Sequence, residues 1–160
     1  MGTRSTIALE FADGTVEQVY CHWDGYLDHN GKILAEHYSD PFKLRELIDL
    51  GDLSSLRPEI GEKHAFSQFE LRAEEVAGFK LLTENMCTFY GRDRNESGCG
   101  AKKFKDFADY KADHQYEEFE YILRACGDKA VWFVASYRTN GEYELLATAF
   151  AKATQAECTA

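Results

Sequence analysis

The run "TIALEF" at 6–11 alternates apolar and polar positions, with Ile7, Leu9 and Phe11 on one side, which is the period of a half-buried strand. "TVEQVYCH" at 15–22 is rich in β-formers. Between the two runs stands Asp13-Gly14, a hairpin signal because glycine readily takes the positive φ of a tight primed turn. The chain is therefore expected to open on a β-hairpin. From Asn30 the period lengthens, and Ile33, Leu34, His37 and Tyr38 recur at helical spacing. "SDP" at 39–41 stops that helix and starts a second one. There Asp40 can cap the new N-terminus, and Pro41 occupies the first turn, where its missing N–H costs nothing. Leu44, Leu47 and Ile48 line the buried stripe of the second helix, and Gly51 suits its C-terminal end.

Residues 52–80 read as a connecting lobe with a short helix around Glu70 to Val76, its acidic side chains forming a solvated face. "MCTFYGRDR" at 86–94 reads as a strand running into a turn. The glycine-rich "NESGCGAKKFK" and a polar stretch with room for a helical turn or two follow it. The last third is strongly β: "EEFEYILRA", "AVWFVASYR" and "YELLATAF" are joined by "CGDK" and "TNGE", the second carrying an Asn-Gly turn pair. The small, polar "KATQAECTA" is expected to fray. These elements predict an α+β fold, an antiparallel β-sheet of about five or six strands built from the N-terminal hairpin and a C-terminal meander. Two or three short helices pack on one face of it. A single globular domain spans 1–152, with a frayed tail at 153–160.

Composition narrows the partners. At 160 residues, with 44% hydrophobic and 14% aromatic side chains, the chain is one folded domain rather than a disordered one. Its net charge of −10 opposes direct binding to nucleic acid and to anionic membranes, and favours basic protein surfaces. No window approaches the ~18 apolar residues of a membrane span, and "MGTRSTIALEF" lacks the apolar core of a signal peptide. A cytoplasmic location is the expectation. The five cysteines, at 21, 87, 99, 126 and 158 with no Cys-x-x-Cys pair, read as reduced thiols rather than a disulfide framework or a zinc site.

Two constellations carry candidate chemistry. In "YCHWDGYLDHNGKILAEHY", 20–38, His22 and Asp24 are one residue apart, so a strand continuing through them would put both side chains on one face. They are the candidate catalytic pair. With His29, and Glu36 further along, they are also the candidate metal ligands, and Trp23 and Tyr26 would wall an aromatic pocket. The plainer alternative makes Asp24-Gly25 a turn, with Trp23 and Tyr26 plugging the core and His37 hydrogen-bonded where it is buried. Only two of the ligands have a fixed relative geometry, whereas a transition-metal site needs three or four that converge. The second constellation, "GRDRNESGCGAKKFK" at 91–105, holds five Lys or Arg against two acidic residues. Arg92 and Arg94, alternating along an extended segment, would face the same way and with Lys102 and Lys103 form a candidate anion-binding site. Its alternative is pairing of the arginines with acidic side chains. The order of a P-loop is absent, and so is a nucleophile elbow. Cys21 beside His22 is a small buried residue rather than half of a dyad, since neighbours on a strand point to opposite faces. No motif names a cofactor, which stays unknown. Trp132, Phe133 and Tyr137 lack the basic groove of a single-strand binder.

Taken together, "TRSTI" at 3–7, the stretch at 20–38, "LIDLGDLSSL" at 47–56 and "FYGRDR" at 89–94 resemble a family of small uncharacterised proteins of tailed bacteriophages and prophages. The resemblance covers the first 95 residues or so and brings no established reaction. It implies a phage setting, hence a bacterial host cytosol, and it makes the 20–38 stretch and the Arg92-Asp93-Arg94 turn parts of one pattern.

Three functions follow from these features. The first is an acidic accessory protein that binds a bacterial host protein and inhibits or redirects it, as an anti-defence or host-takeover factor would. DNA mimicry is a narrower version, but duplex DNA carries one charge per about 1.7 Å, far denser than this chain. The second is a small enzyme acting on a phosphate-bearing nucleotide or nucleic acid, with His22 and Asp24 as base or ligands and Arg92 and Arg94 as the clamp. The third is a homodimer formed through the C-terminal sheet edge.

Overall fold

The computed structural model describes residues 2–113 and 118–159, the last four of these by their backbone only. Glu117, the first residue of the expected strand "EEFEYILRA", and Ala160, the end of the expected tail, lie outside the described residues. The fold is mixed α and β, as expected, and its sheet has eight strands among the described residues.

The opening hairpin forms from β1 (Ser5–Glu10) and β2 (Val16–Cys21), paired antiparallel with Ile7 opposite Val19. Its loop is one residue longer than a primed turn. Gly14 N–H donates to the Phe11 carbonyl, Asp13 Oδ1 accepts from Thr15 N–H, and Gly14 alone takes a positive φ, +90°. This is a type I turn closed by a glycine bulge, a geometry in which only the last loop residue must be glycine.

The helices after the hairpin also form where the period predicts them. A single wide turn over Leu27–Gly31 leads into α1 (Lys32–His37), and α2 spans Pro41–Asp49. Asp40 caps α2 by accepting from Phe42 N–H, and Leu44, Leu47 and Ile48 are its fully buried residues. The chain then passes through β3 (Leu53–Ser55), two short 3-10 turns, α3 (Val76–Thr83), β4 (Thr88–Phe89) and α4 (Tyr90–Arg94). β5 (Lys102–Phe104) and α5 (Phe107–Ala112) follow, and then the long hairpin of β6 (Phe119–Cys126) and β7 (Lys129–Ser136).

Three expectations change. The sheet is mixed, not antiparallel, with the order β4-β3-β2-β1-β6-β7 and finally β8 (Glu144–Leu145), while β5 pairs with β2. β1 runs parallel to β6 and β2 parallel to β3, because long excursions rather than tight turns connect these pairs. The helices occupy both faces. α1, α2 and a last helix, α6 (Leu146–Thr159), cover the side of Ile7, Leu9, Val19, Tyr121, Leu123 and Trp132, while α5 brings Phe107 and Tyr110 against Ala8, Val16, Phe104 and Ile122 on the other. Finally, "YELLATAF" is a strand for two residues only. It turns into α6 (Leu146–Thr159), which runs through the residues expected to fray. Leu146, Ala149, Phe150 and Ala153 recur at i, i+3, i+4 and i+7, a helical stripe, and Leu146 and Ala149 are buried by it.

With both faces covered, β1 is buried along nearly its whole length. Tyr121 on β6 locks the arrangement, its hydroxyl donating to the Gly25 carbonyl at 2.7 Å inside the core. Burial holds its ionisation far above the ordinary tyrosine range, so it remains a donor. Replacing Tyr121 with Phe leaves that carbonyl unsatisfied and is expected to cost about 1–2 kcal/mol, measured by urea unfolding. A change too small to resolve would show that the bond contributes nothing.

Candidate functional site

The 20–38 stretch is a structural seam. β2 ends at Cys21, and Asp24 takes the left-handed φ of +57°, so the strand alternation that would align His22 with Asp24 is broken. His22 turns its Nδ1 to the Tyr20 hydroxyl at 2.7 Å and stands edge-on to Trp23. Asp24 lies 4.0 Å from His29 Nε2, the nitrogen to which Arg57 Nη1 donates at 3.2 Å, while His29 Nδ1 faces Asn30 Oδ1. Both ring nitrogens of His29 are engaged. Glu36 lies 3.9 Å from His37 at the surface. Among the described residues no three His, Cys, Asp or Glu side chains converge to hold a metal ion. Trp23 and Tyr26 do not plug the core either; both are over 40% exposed.

What closes this seam is Asn30, which the sequence did not single out. It is fully buried, and its Nδ2 reaches Ser5 Oγ, the Trp23 carbonyl and Cys21 Sγ. Gly25 sits so close to β1 that a Cβ there would lie 2.8 Å from the Ser5 side chain. Cys21 is buried as expected, its thiol pushed up to about 12 by burial.

Arg92 and Arg94 lie on the one-turn helix α4 rather than on an extended segment, and they do not face the same way. Arg92 spends all five guanidinium donors within the protein. Nε and Nη2 grip the carboxylate of Asp93, Nη1 donates to the Ile60 and Gly61 carbonyls, and Nη2 also donates to the Cys87 carbonyl. Asp93, whose side chain is fully buried, also accepts from the backbone N–H groups of His64 and Phe89. Arg94 is exposed; it pairs with Glu96 and lies over the rings of Phe66 and Tyr90. Lys102 pairs with Asp113, and Lys103 stands beside Glu17 in the β2–β5 register. Among the described residues no hydrogen bond or ion pair joins His22 or Asp24 to Arg92 or Arg94. The two constellations do not build one polar site.

The surface that is left unsatisfied lies in the stretch read as a connecting lobe. The helix there starts at Val76 instead of Glu70, because "AEE" at 73–75 makes a 3-10 turn in which Arg72 and Glu75 form a capping pair. α3, "VAGFKLLT", has no buried residue. It is held by Phe79 against His64 and by Arg57 Nε, which donates to the Thr83 carbonyl. Its outer side shows Ala77, Gly78, Lys80 and Leu81, with Leu81 68% exposed and Phe69 beside the helix in sequence 90% exposed. An open groove of about 450 Å³ lies between α3 and the Glu59–Met86 bridge, lined by Glu59, Gly78, Leu81, Leu82, Asn85 and Met86. An apolar helix that is only half-buried, on the side of Val76, Phe79 and Leu82, is not what a solvated lobe needs. A glycine in its interior costs about 1 kcal/mol relative to alanine, and a Cβ built on Gly78 meets nothing within 4 Å. Of the acidic side chains from Glu59 to Glu84, Glu59 lines the groove, Glu62, Glu70, Glu74 and Glu84 are also exposed, and Arg72 is already held by Glu74 and Glu75.

Two further surfaces stand apart from it. An apolar cavity of about 270 Å³ lies between the N-terminus of α2 and the far end of β1 and β6, lined by Leu9, Phe11, Phe42 and Leu123 among others. At the C-terminal sheet edge, β8 pairs only with Phe133 and Val134, so the outer side of Lys129–Trp132 has no strand partner among the described residues. No described helix is long and apolar enough to cross a membrane. No protein-family model matches this chain, and neither does any curated protein or solved structure.

The arginine environments give unequal mutational outcomes. Arg92→Ala strands a buried carboxylate and should lower stability by about 3 kcal/mol or more, whereas Arg94→Ala, which gives up only exposed contacts, should lower it by about 1 kcal/mol. Chemical denaturation of the two variants side by side checks this, and equal stabilities would contradict it. The thiols should divide similarly. Under native conditions Cys126, which is exposed, alkylates with iodoacetamide, while Cys21 and Cys87, both buried with raised pKa, react only after unfolding. Peptide mass mapping reads the order directly.

Proposed function

We propose that this chain is an acidic binding protein that docks on a bacterial host protein and inhibits or redirects it. The observation that carries the reading is α3, an apolar helix with no buried residue, set among exposed glutamates. A net charge of −10 adds long-range attraction for a basic partner and repulsion between copies of the chain itself. The phage setting, and with it the host cytosol, comes from the resemblance of "TRSTI", the 20–38 stretch and "FYGRDR" to small phage proteins.

The enzyme reading has less support. An anion clamp needs Arg92, and the donors of Arg92 are used within the protein. His22 is bonded to the Tyr20 hydroxyl, and Asp24 stands beside a His29 whose ring nitrogens face Arg57 and Asn30, so the two do not form the pair that reading needs. Dimerisation through the Lys129–Trp132 edge would have to overcome the charge of two acidic chains.

Tagged protein passed through bacterial lysate at low salt is expected to retain one host protein in stoichiometric amount and to release it at high salt, as identified by mass spectrometry. Recovery of the protein alone would overturn the reading.

A further inference from the structure

We infer that the groove along α3 is the docking surface, and that it takes a basic amphipathic helix of a partner protein whose backbone crosses α3 at Gly78. This rests on the binding reading and adds the location and the chemistry of the partner. Three independent features point to it. First, the outer side of α3 leaves Ala77, Gly78 and Leu81 uncovered, with Lys80 exposed beside them and Leu81 68% exposed next to a groove of about 450 Å³ that Leu82 and Met86 also line. Helix-in-groove recognition uses such a surface, with apolar anchors spaced at i, i+3, i+4 and i+7.

Second, Gly78 lines that groove in the interior of the helix, and the space in front of its missing Cβ is empty to 4 Å. Neither a turn nor a packing contact within the chain requires a glycine there, since its φ is not positive and nothing approaches it. A close approach from outside is the remaining use for a missing side chain, as small residues allow between crossing helices. Third, the lobe that carries the groove has more exposed acidic than basic side chains. Glu59 is part of the groove itself, and Glu62, Glu70, Glu74 and Glu84 are exposed on the same lobe, against Lys63, Arg72 and Lys80. Arg72 is neutralised by Glu74 and Glu75, and Lys63 donates to Asn95. The complement is an apolar stripe flanked by Lys or Arg. A second copy of this chain, also acidic, is a poor match.

The probe is a labelled amphipathic helical peptide of Leu, Ala and Lys, titrated by fluorescence anisotropy into the full chain, with a counterpart carrying Glu at every Lys position as the control. Saturable binding of the basic peptide is expected, weakened roughly tenfold or more by Gly78→Leu and by Leu81→Glu, and unchanged by Phe42→Ala on α2. Gly78→Ala should melt at the same temperature as the parent or higher, since the site has room for a methyl group and alanine favours helix. Equal affinity for Gly78→Leu and parent would overturn the proposal, and so would a lowered melting temperature for Gly78→Ala. A dimer in sedimentation analysis that Leu81→Glu dissolves would overturn it in favour of self-association. If a host protein is captured from lysate equally well by parent, Gly78→Leu and Leu81→Glu, the binding reading stands and this surface is wrong. If lysate yields no partner, the binding reading fails on its own.

Discussion

The parallel pairing of β1 with β6 is the constraint on which the rest of the molecule depends. It joins Ser5–Leu9 to Phe119–Leu123, so everything between the opening hairpin and β6 must be accommodated before the central strands meet. Closing so large a loop is entropically costly. The return lies in burial on both sides of β1, Ile7 and Leu9 packing under α1 and α2 and Ala8 under α5. The Tyr121 hydroxyl on the Gly25 carbonyl then fixes the position of the 22–26 turn relative to β6. Once that turn is fixed, its polar side chains have structural partners, and the histidine-rich look of the segment follows from closing a seam.

A second buried network holds the other end of the sheet. Asp93 gathers the His64 and Phe89 backbone N–H groups and the Arg92 guanidinium around one desolvated carboxylate. Arg57 ties the 20–38 stretch to the lobe, reaching His29 and the Leu56 and Thr83 carbonyls from one guanidinium. Arginine suits both sites because its planar fork serves several acceptors at once. The consequence for function is direct. Arg92, which would have served an anion, is used instead to tie α4 to the Ile60, Gly61 and Cys87 carbonyls, and the lobe it helps to hold is the part with uncovered apolar surface.

The proposed function would lie on a surface, which explains why it is hard to read from residue types. A catalytic site announces itself through His, Asp, Arg or Cys at telling spacings, and the spacings here did attract attention at His22, Asp24, Arg92 and Arg94. A docking face is only apolar residues that stay uncovered, and "VAGFKLLT" as a string resembles any core helix. Whether its side chains meet the core or solvent depends on how the lobe is hung, through Phe79, Arg57 and Arg92.

Local chemistry was legible where the cause was local. The Asp13-Gly14 hairpin, the Asp40-Pro41 start of α2 with its Leu44, Leu47 and Ile48 stripe, and the β6–β7 hairpin all follow from turn residues and hydrophobic period, which act over a few positions. The acidic charge and the buried Cys21 were equally plain. Longer-range outcomes were decided by tertiary structure. The parallel β1–β6 register, the helices on both faces and the helical rather than extended end of the chain depend on which surfaces meet. In "YELLATAF" the alternation of a strand and the stripe of a helix overlap, and packing of Leu146 and Ala149 against the sheet side selects the helix. The same holds for the site residues. By itself the sequence determined which groups were available; the fold determined that Arg92 would close on Asp93 inside the protein and that Gly78 and Leu81 would face outward, because burial and partnership are properties of contacts between distant segments.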